Sequence, residues 1–336
     1  MTESTSAGAY FARGVVIVLM VYGHISLIGN TLHAQEVIYE FMHSFRMPVL
    51  ILLTGFFFSF HRPGPEVAYR SFRYVVVPYF IFECGYILIH FSANYFGFIK
   101  TNTAPISTWA ELFHTVFFAP TGPYWYLYNL GFLQLAVAAA IYVTRGMQGR
   151  QFELVALIFI FMLWYLRILN TDFIVFYLIG VAMRWRGGEL TAGILIPLIA
   201  FIGYAYLGAG HIDASYILRV PFVVGTALLL VGIGARFAAS TRVVAYLGIN
   251  SMSILCWHAY IIACLRPLAP LFLSVDPTGI VYVLFATVLG TVGSLWLTRL
   301  TDRIGLSSIL FGMEKATRDL KRPRPAAAQA APVAAE

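Results

Sequence analysis

Apolar residues run along this chain in long blocks, separated by short polar stretches that carry most of its arginines. The blocks fall at roughly 10–30, 45–60, 75–92, 124–143, 152–169, 172–184, 190–208, 215–235, 246–265 and 279–298. A bilayer's hydrocarbon core takes about 20 helical residues to cross, and most blocks match that length. Open sheet edges cannot be satisfied in hydrocarbon, so each block is predicted as a helix. The second and sixth are short. The longest connection, Phe91 to Pro123, contains a loosely alternating piece at 107–118 that predicts a loop with an interfacial helix. The expected fold is all-α: a polytopic integral membrane bundle of about ten transmembrane helices over residues 1–311. A basic, Ala- and Pro-rich tail, 312–336, is expected to be disordered and cytoplasmic.

Composition agrees. Of 336 residues, 60% are hydrophobic and 11% charged, whereas a soluble domain carries about 25% charge. Mean hydropathy is +0.79. Ten spans consume roughly 200 residues, which leaves too little for a sizeable soluble domain. Cys84, Cys256 and Cys264 lie inside apolar runs without CxxC spacing, which argues against a disulfide framework or zinc site. The first run lacks a basic leader and a small-residue cleavage site, so it is expected to stay as a helix.

Basic residues set the orientation. Threading the spans puts 17 Lys and Arg on one side and 5 on the other. Positive residues favour the cytoplasmic side, so both termini are expected there. Basic residues strung along one membrane face make nucleic-acid binding unexpected. No Walker A, GxSxG, HExxH or strand-borne GxGxxG motif occurs.

Ionisable residues inside spans are costly and mark function by default. Arg13 and His24 share the first predicted span. Eleven positions bring them about 20° past three full turns, on one face and roughly 16 Å apart. The pair also reads as a snorkelling arginine plus a packing histidine. Glu83 on the third span and His258 on the ninth are further candidates, each also readable as a satisfied core group. On the outer side, Glu40, Arg46 and Trp125 combine a carboxylate, a cation and an aromatic ring, which suits a hydroxylated ligand or an ordinary headgroup-facing loop. On the inner side, Arg70 and Arg73 stand at i, i+3 before the third span. They could clamp a phosphate jointly or serve as inner-side anchors.

Five motifs in order resemble the membrane acyltransferase-3 family. Arg13-x10-His24 in FARGVVIVLMVYGHI is similar to that family's first-helix signature. FRMPVLILLTGFFFSF resembles its second-helix motif, and YRSFRYVVVPYFIFE resembles its basic-pair-then-Pro approach to the third helix. PYWYLYNLGF and LGINSMSILCWHAYII resemble its fourth-helix and late Ser…His motifs. Arg46 stands where many members have His, and Thr54 where Ser is commoner. The resemblance implies a ten-helix enzyme, in a bacterial inner membrane, that moves an acyl group, commonly acetyl, from cytoplasmic acyl-coenzyme A. The implied acceptor is a hydroxyl of a carbohydrate or lipid-linked glycan.

Under that resemblance His24 becomes the candidate general base or transient acyl carrier. Arg13, Arg70 and Arg73 become donor-binding residues for the phosphates of acetyl-coenzyme A. Glu40, Arg46, Glu83, Trp125 and His258 are left as acceptor-side or supporting candidates. The chemistry needs no metal. The competing class is a transporter of a small polar solute, against which stands the lack of any apparent inverted repeat.

Overall fold

The computed structural model describes residues 3–58, 62–95, 108–120, 122–144, 150–185, 195–207 and 216–319. Every regular element among them is helical. The chain starts with α1 (Glu3–Tyr22), α2 (Leu32–His43) and α3 (Arg46–Phe57). Next come α4 (Gly64–Ser71), a π-helical turn (Phe72–Val76), α5 (Val77–Tyr95) and α6 (Trp109–Phe117). The middle holds α7 (Trp125–Val143), α8 (Arg150–Tyr165), α9 (Thr171–Trp185) and α10 (Leu195–Leu207). It ends with α11 (Tyr216–Arg236), α12 (Arg242–Ile249), α13 (Ser251–Leu265), α14 (Ala269–Val275), α15 (Ile280–Arg303) and α16 (Ser307–Leu310).

Among the described residues, six helical stretches are long and apolar enough to cross a membrane. Three shorter apolar helices, Ser6–Tyr22, Phe152–Tyr165 and Pro197–Leu207, accompany them. The outer faces are as apolar as the interior. Leu284, Val288, Val292 and Trp296 line the exposed side of α15, and Leu154, Ile158 and Phe161 that of α8. A helix apolar all round, left uncovered by protein, needs lipid as its solvent.

The predicted spans need four adjustments. The first helix stops at Tyr22 rather than continuing to residue 30, because Gly23 unwinds the chain: the N–H of His24 bonds the Val21 carbonyl, three residues back, at 3.1 Å. His24 and Arg13 are therefore not on one helix. The second span is longer at its start, since α2 and α3 form one apolar stretch, Leu32–Phe57. The ninth breaks at Asn250, whose side chain reaches out to the backbone of Arg318, its Nδ2 donating to the carbonyl at 3.0 Å and its Oδ1 accepting from the N–H at 2.8 Å. Those bonds bear on the expected tail too. Residues 312–319 dock on the bundle, with the N–H groups of Ala316 and Thr317 held by Asp302. The stretch 320–336 lies outside the described residues. The interfacial helix expected at 107–118 is α6, and a capping box between Thr108 and Glu111 fixes its start.

Helix α1 runs through the middle and touches α3, α11, α12, α13 and α15. Glycines let two of the helix pairs meet backbone to backbone. A Cβ built on Gly248 of α12 would lie 1.8 Å from the Tyr10 carbonyl oxygen of α1, and one on Gly14 would lie 1.9 Å from the Val244 carbonyl. The α3–α9 pair repeats this, with Gly55 at 2.2 Å from the Tyr177 carbonyl and Gly180 at 2.1 Å from that of Leu52. Small residues at such crossings replace the hydrophobic drive that lipid removes.

The loop after α1 is tied to the turn before α15. Gly29 and Gly279 take φ of 90° and 78° there, which glycine alone tolerates cheaply. The N–H of Asn30 donates to Pro277 at 2.9 Å, and the Thr31 hydroxyl to Thr278 at 2.8 Å. Asp276 caps the start of α15, accepting from the Thr278 hydroxyl at 2.6 Å and the Val281 N–H at 2.9 Å. The Thr278 hydroxyl, and then the Val281 N–H, hold this carboxyl below its ordinary pKa. A depressed carboxylate stabilises fully above its unfolded pKa of about 3.9 and loses that contribution as pH falls through the folded value. Asp276→Ala is expected to melt below the wild type at pH 7, with the gap narrowing below about pH 4. Thermal melts at both pH values check this, and a constant gap would assign the effect to something other than the charge.

Candidate active site

Three basic side chains from distant parts of the sequence meet at the end of α1. His24 sits in the turn just past Tyr22, and its ring lies 5.1 Å, centroid to centroid, from that of His258 on α13. Its surroundings are protein, yet the ring itself is exposed. It opens onto a cavity of about 80 Å³ lined also by Ser26, Tyr86, Pro123, Ile262 and Arg266.

His258 is fully buried and its tautomer follows from its partners. Nδ1 faces two backbone carbonyls, Ile254 at 3.0 Å and Leu255 at 2.9 Å. Carbonyls only accept, so Nδ1 carries the proton. Nε2 then presents a lone pair, and no partner meets it among the described residues.

Arg46 is the third. It is 5% exposed, and its guanidinium fills the space beside Gly23: a Cβ there would lie 1.7 Å from Nη1. A larger residue next to His24 would have to displace that guanidinium. The Tyr39 ring lies under the guanidinium at 4.8 Å, a cation–π contact.

Glu83 shapes the cavity without lining it. It is fully buried on α5 and accepts the Gly122 N–H at 3.1 Å. A Cβ on Gly122 would lie 2.6 Å from Oε2, so a larger residue would push this carboxylate aside. The bond holds the segment bearing Pro123 against the cavity. Tyr86, one turn after Glu83, lines it from the other side.

The remaining candidates stand apart. Trp125 follows Pro123 but faces a different, open groove of about 680 Å³, shared with Phe118, Trp164, Tyr165, Arg167 and Asn170. Glu40 is exposed on α2. Arg13 is half-buried near the Tyr126 hydroxyl, which is 2.6 Å from Thr54 Oγ1; its own Nε is buried and finds no partner among the described residues. Arg70 pairs with Glu66 at 3.3 Å on α4. Arg73 lies in the π-helical turn, whose wider winding departs from the i, i+3 alignment expected of the pair. Its Nε donates to the Gly312 carbonyl at 2.6 Å and its Nη1 to the Tyr69 hydroxyl at 2.7 Å.

Sequence reasoning missed Gly23, Tyr39, Tyr86 and Pro123. Gly23 carried the one readable signal, a glycine inside an apolar helix next to a histidine. Three further polar residues of the helices make structural contacts: Asn129 accepts the Asn170 N–H at 2.7 Å, Gln134 the Ser71 hydroxyl at 2.9 Å, and Arg219 pairs with Asp172 at 2.7 Å.

No curated protein and no solved structure matches the chain. The family model described as an acyltransferase domain matches residues 10–299, a span that contains His24, Arg46 and His258. With that match over most of its length, the chain belongs to the acyltransferase-3 family.

Proposed function

We propose that this membrane acyltransferase moves an acetyl group from cytoplasmic acetyl-coenzyme A to a hydroxyl of a carbohydrate or lipid-linked glycan. The observation that carries the reading is the accessible His24 ring in a cavity deep in the bundle, beside His258 and Arg46. A neutral imidazole there takes the acceptor's proton as its oxygen attacks the thioester carbon. It returns the proton to the departing thiolate. His258, with Nε2 as an acceptor, can take a hydrogen bond from a protonated His24 nitrogen and so turn the other nitrogen's lone pair toward the cavity.

The donor's phosphates fall to Arg13, Arg70 and Arg73, whose planar forks suit bidentate phosphate contacts. Membrane lipid surrounds the enzyme, in a bacterial inner membrane with both termini cytoplasmic. The acceptor approaches from the opposite side to the donor, past Trp125, so the acyl group crosses while its carrier stays.

The test uses purified protein in lipid nanodiscs with acetyl-coenzyme A labelled in the acetyl group. Thiol release together with label on a saccharide, lost in His24→Ala, is expected. Solute counterflow without thioester cleavage would instead make the chain a transporter.

A further inference from the structure

Arg46 is an unsolved electrostatic problem as the structure stands. Its Nε and Nη1 are buried and meet no hydrogen-bond partner among the described residues. A buried guanidinium with two nitrogens lacking hydrogen bonds is costly, and the Tyr39 ring offsets only part of that cost. The position makes matters worse. Arg46 is the first residue of α3, where the helix dipole is positive, and the first turn holds no acid and no side-chain cap. A cation carried at a helix N-terminus marks a spot suited to negative charge. That spot adjoins a histidine that lines a cavity, since the guanidinium packs on Gly23, next to His24.

Resting on the acyl-transfer reading above, we propose that Arg46 is the oxyanion donor of the reaction. When the acceptor oxygen bonds to the thioester carbon, its proton passes to His24 and the carbonyl π pair moves onto the carbonyl oxygen. Arg46 N–H groups donate to that oxygen. Collapse re-forms the C=O bond and breaks the C–S bond, and the thiolate leaves with the proton from His24. The negative charge exists only between these steps, so the site holds no permanent counter-ion. Tyr39 and Gly23 fix the guanidinium before substrate arrives, and donors preorganised in this way contribute most to catalysis.

The experiment compares wild type, Arg46→Gln, Arg46→Lys and Arg46→Ala in nanodiscs, with acetyl-coenzyme A and a mixture of hexoses. It reads thiol release, coenzyme A affinity and melting temperature. Arg46→Gln should bind coenzyme A within about 2-fold of wild type while kcat falls by about 10²–10³. Arg46→Lys keeps the charge without the fork and should fall in between. Guanidinium ion added to Arg46→Ala should restore part of the rate. Weakened coenzyme A binding at unchanged kcat would overturn the assignment, because Arg46 would then hold a ground-state anion. If Arg46→Gln does not fold, Arg46→Lys decides: wild-type kcat in it also overturns the proposal. No thiol release by the wild type would sink the acyl-transfer reading instead, which keeps the two failures distinct.

Discussion

His24→Ala is expected to fold and to bind coenzyme A, yet to transfer acyl groups about 10²–10⁴ times more slowly than the wild type. The first half follows from where the ring sits. It faces a cavity rather than the core, so truncating it leaves no new void among packed side chains. Tm is therefore expected to move little. The second half follows from chemistry: without the imidazole, nothing at the cavity wall takes the hydroxyl proton. A loss beyond about 10⁴ would favour a covalent acyl-histidine over a general base. Steady-state thiol release and a coenzyme A binding isotherm on the same preparation separate the effects. Transfer near the wild-type rate would remove His24 from the mechanism and leave His258, with its free Nε2 lone pair, and Glu83 as the next groups to test.

Gly248→Val should cost the fold rather than the chemistry. Overpacking in a core usually costs about 1–3 kcal/mol because side chains can shift. Here the obstacle is the Tyr10 carbonyl, 1.8 Å from where the first added carbon must go. Backbone in a helix has little room to yield, so α1 and α12 must separate. We expect a loss at the top of that range or above it, read as a fall in melting temperature and in monodisperse yield. Gly203→Ala is the matched control: its added Cβ meets nothing within 4 Å, and replacing a mid-helix glycine gains about 0.5–1 kcal/mol. Equal melting of Gly248→Val and wild type would mean that the helices do not meet as closely as described.

The membrane bundle was legible in the sequence because apolar length and scarce charge are local quantities. Helix pairing was not. Gly14, Gly55, Gly180 and Gly248 look like any other glycines in apolar helices, and only their partners' carbonyls give them meaning. The candidate site was legible as residue types: His24, Arg46, Glu83 and His258 all stand out as polar groups near or within apolar runs. What periodicity could not supply was their grouping. Counting turns from Arg13 to His24 assumed a helix that Gly23 ends. The counting also hid Arg46, which reaches His24 from the start of another helix. Glu40 is close to it in sequence but exposed, and Trp125 lines a different groove.

The bond from Arg73 to the Gly312 carbonyl joins residues 239 positions apart, and Asn250 grips the same late segment. A ribosome releases Arg73 long before Gly312, so this bond forms only after the helices between them have been made. The segment from Gly312 to Arg318 acts as a clasp across a helix made early and a helix break made late. Long loop closures are slow steps. Arg73 therefore acquires this partner only after residue 312 has been made.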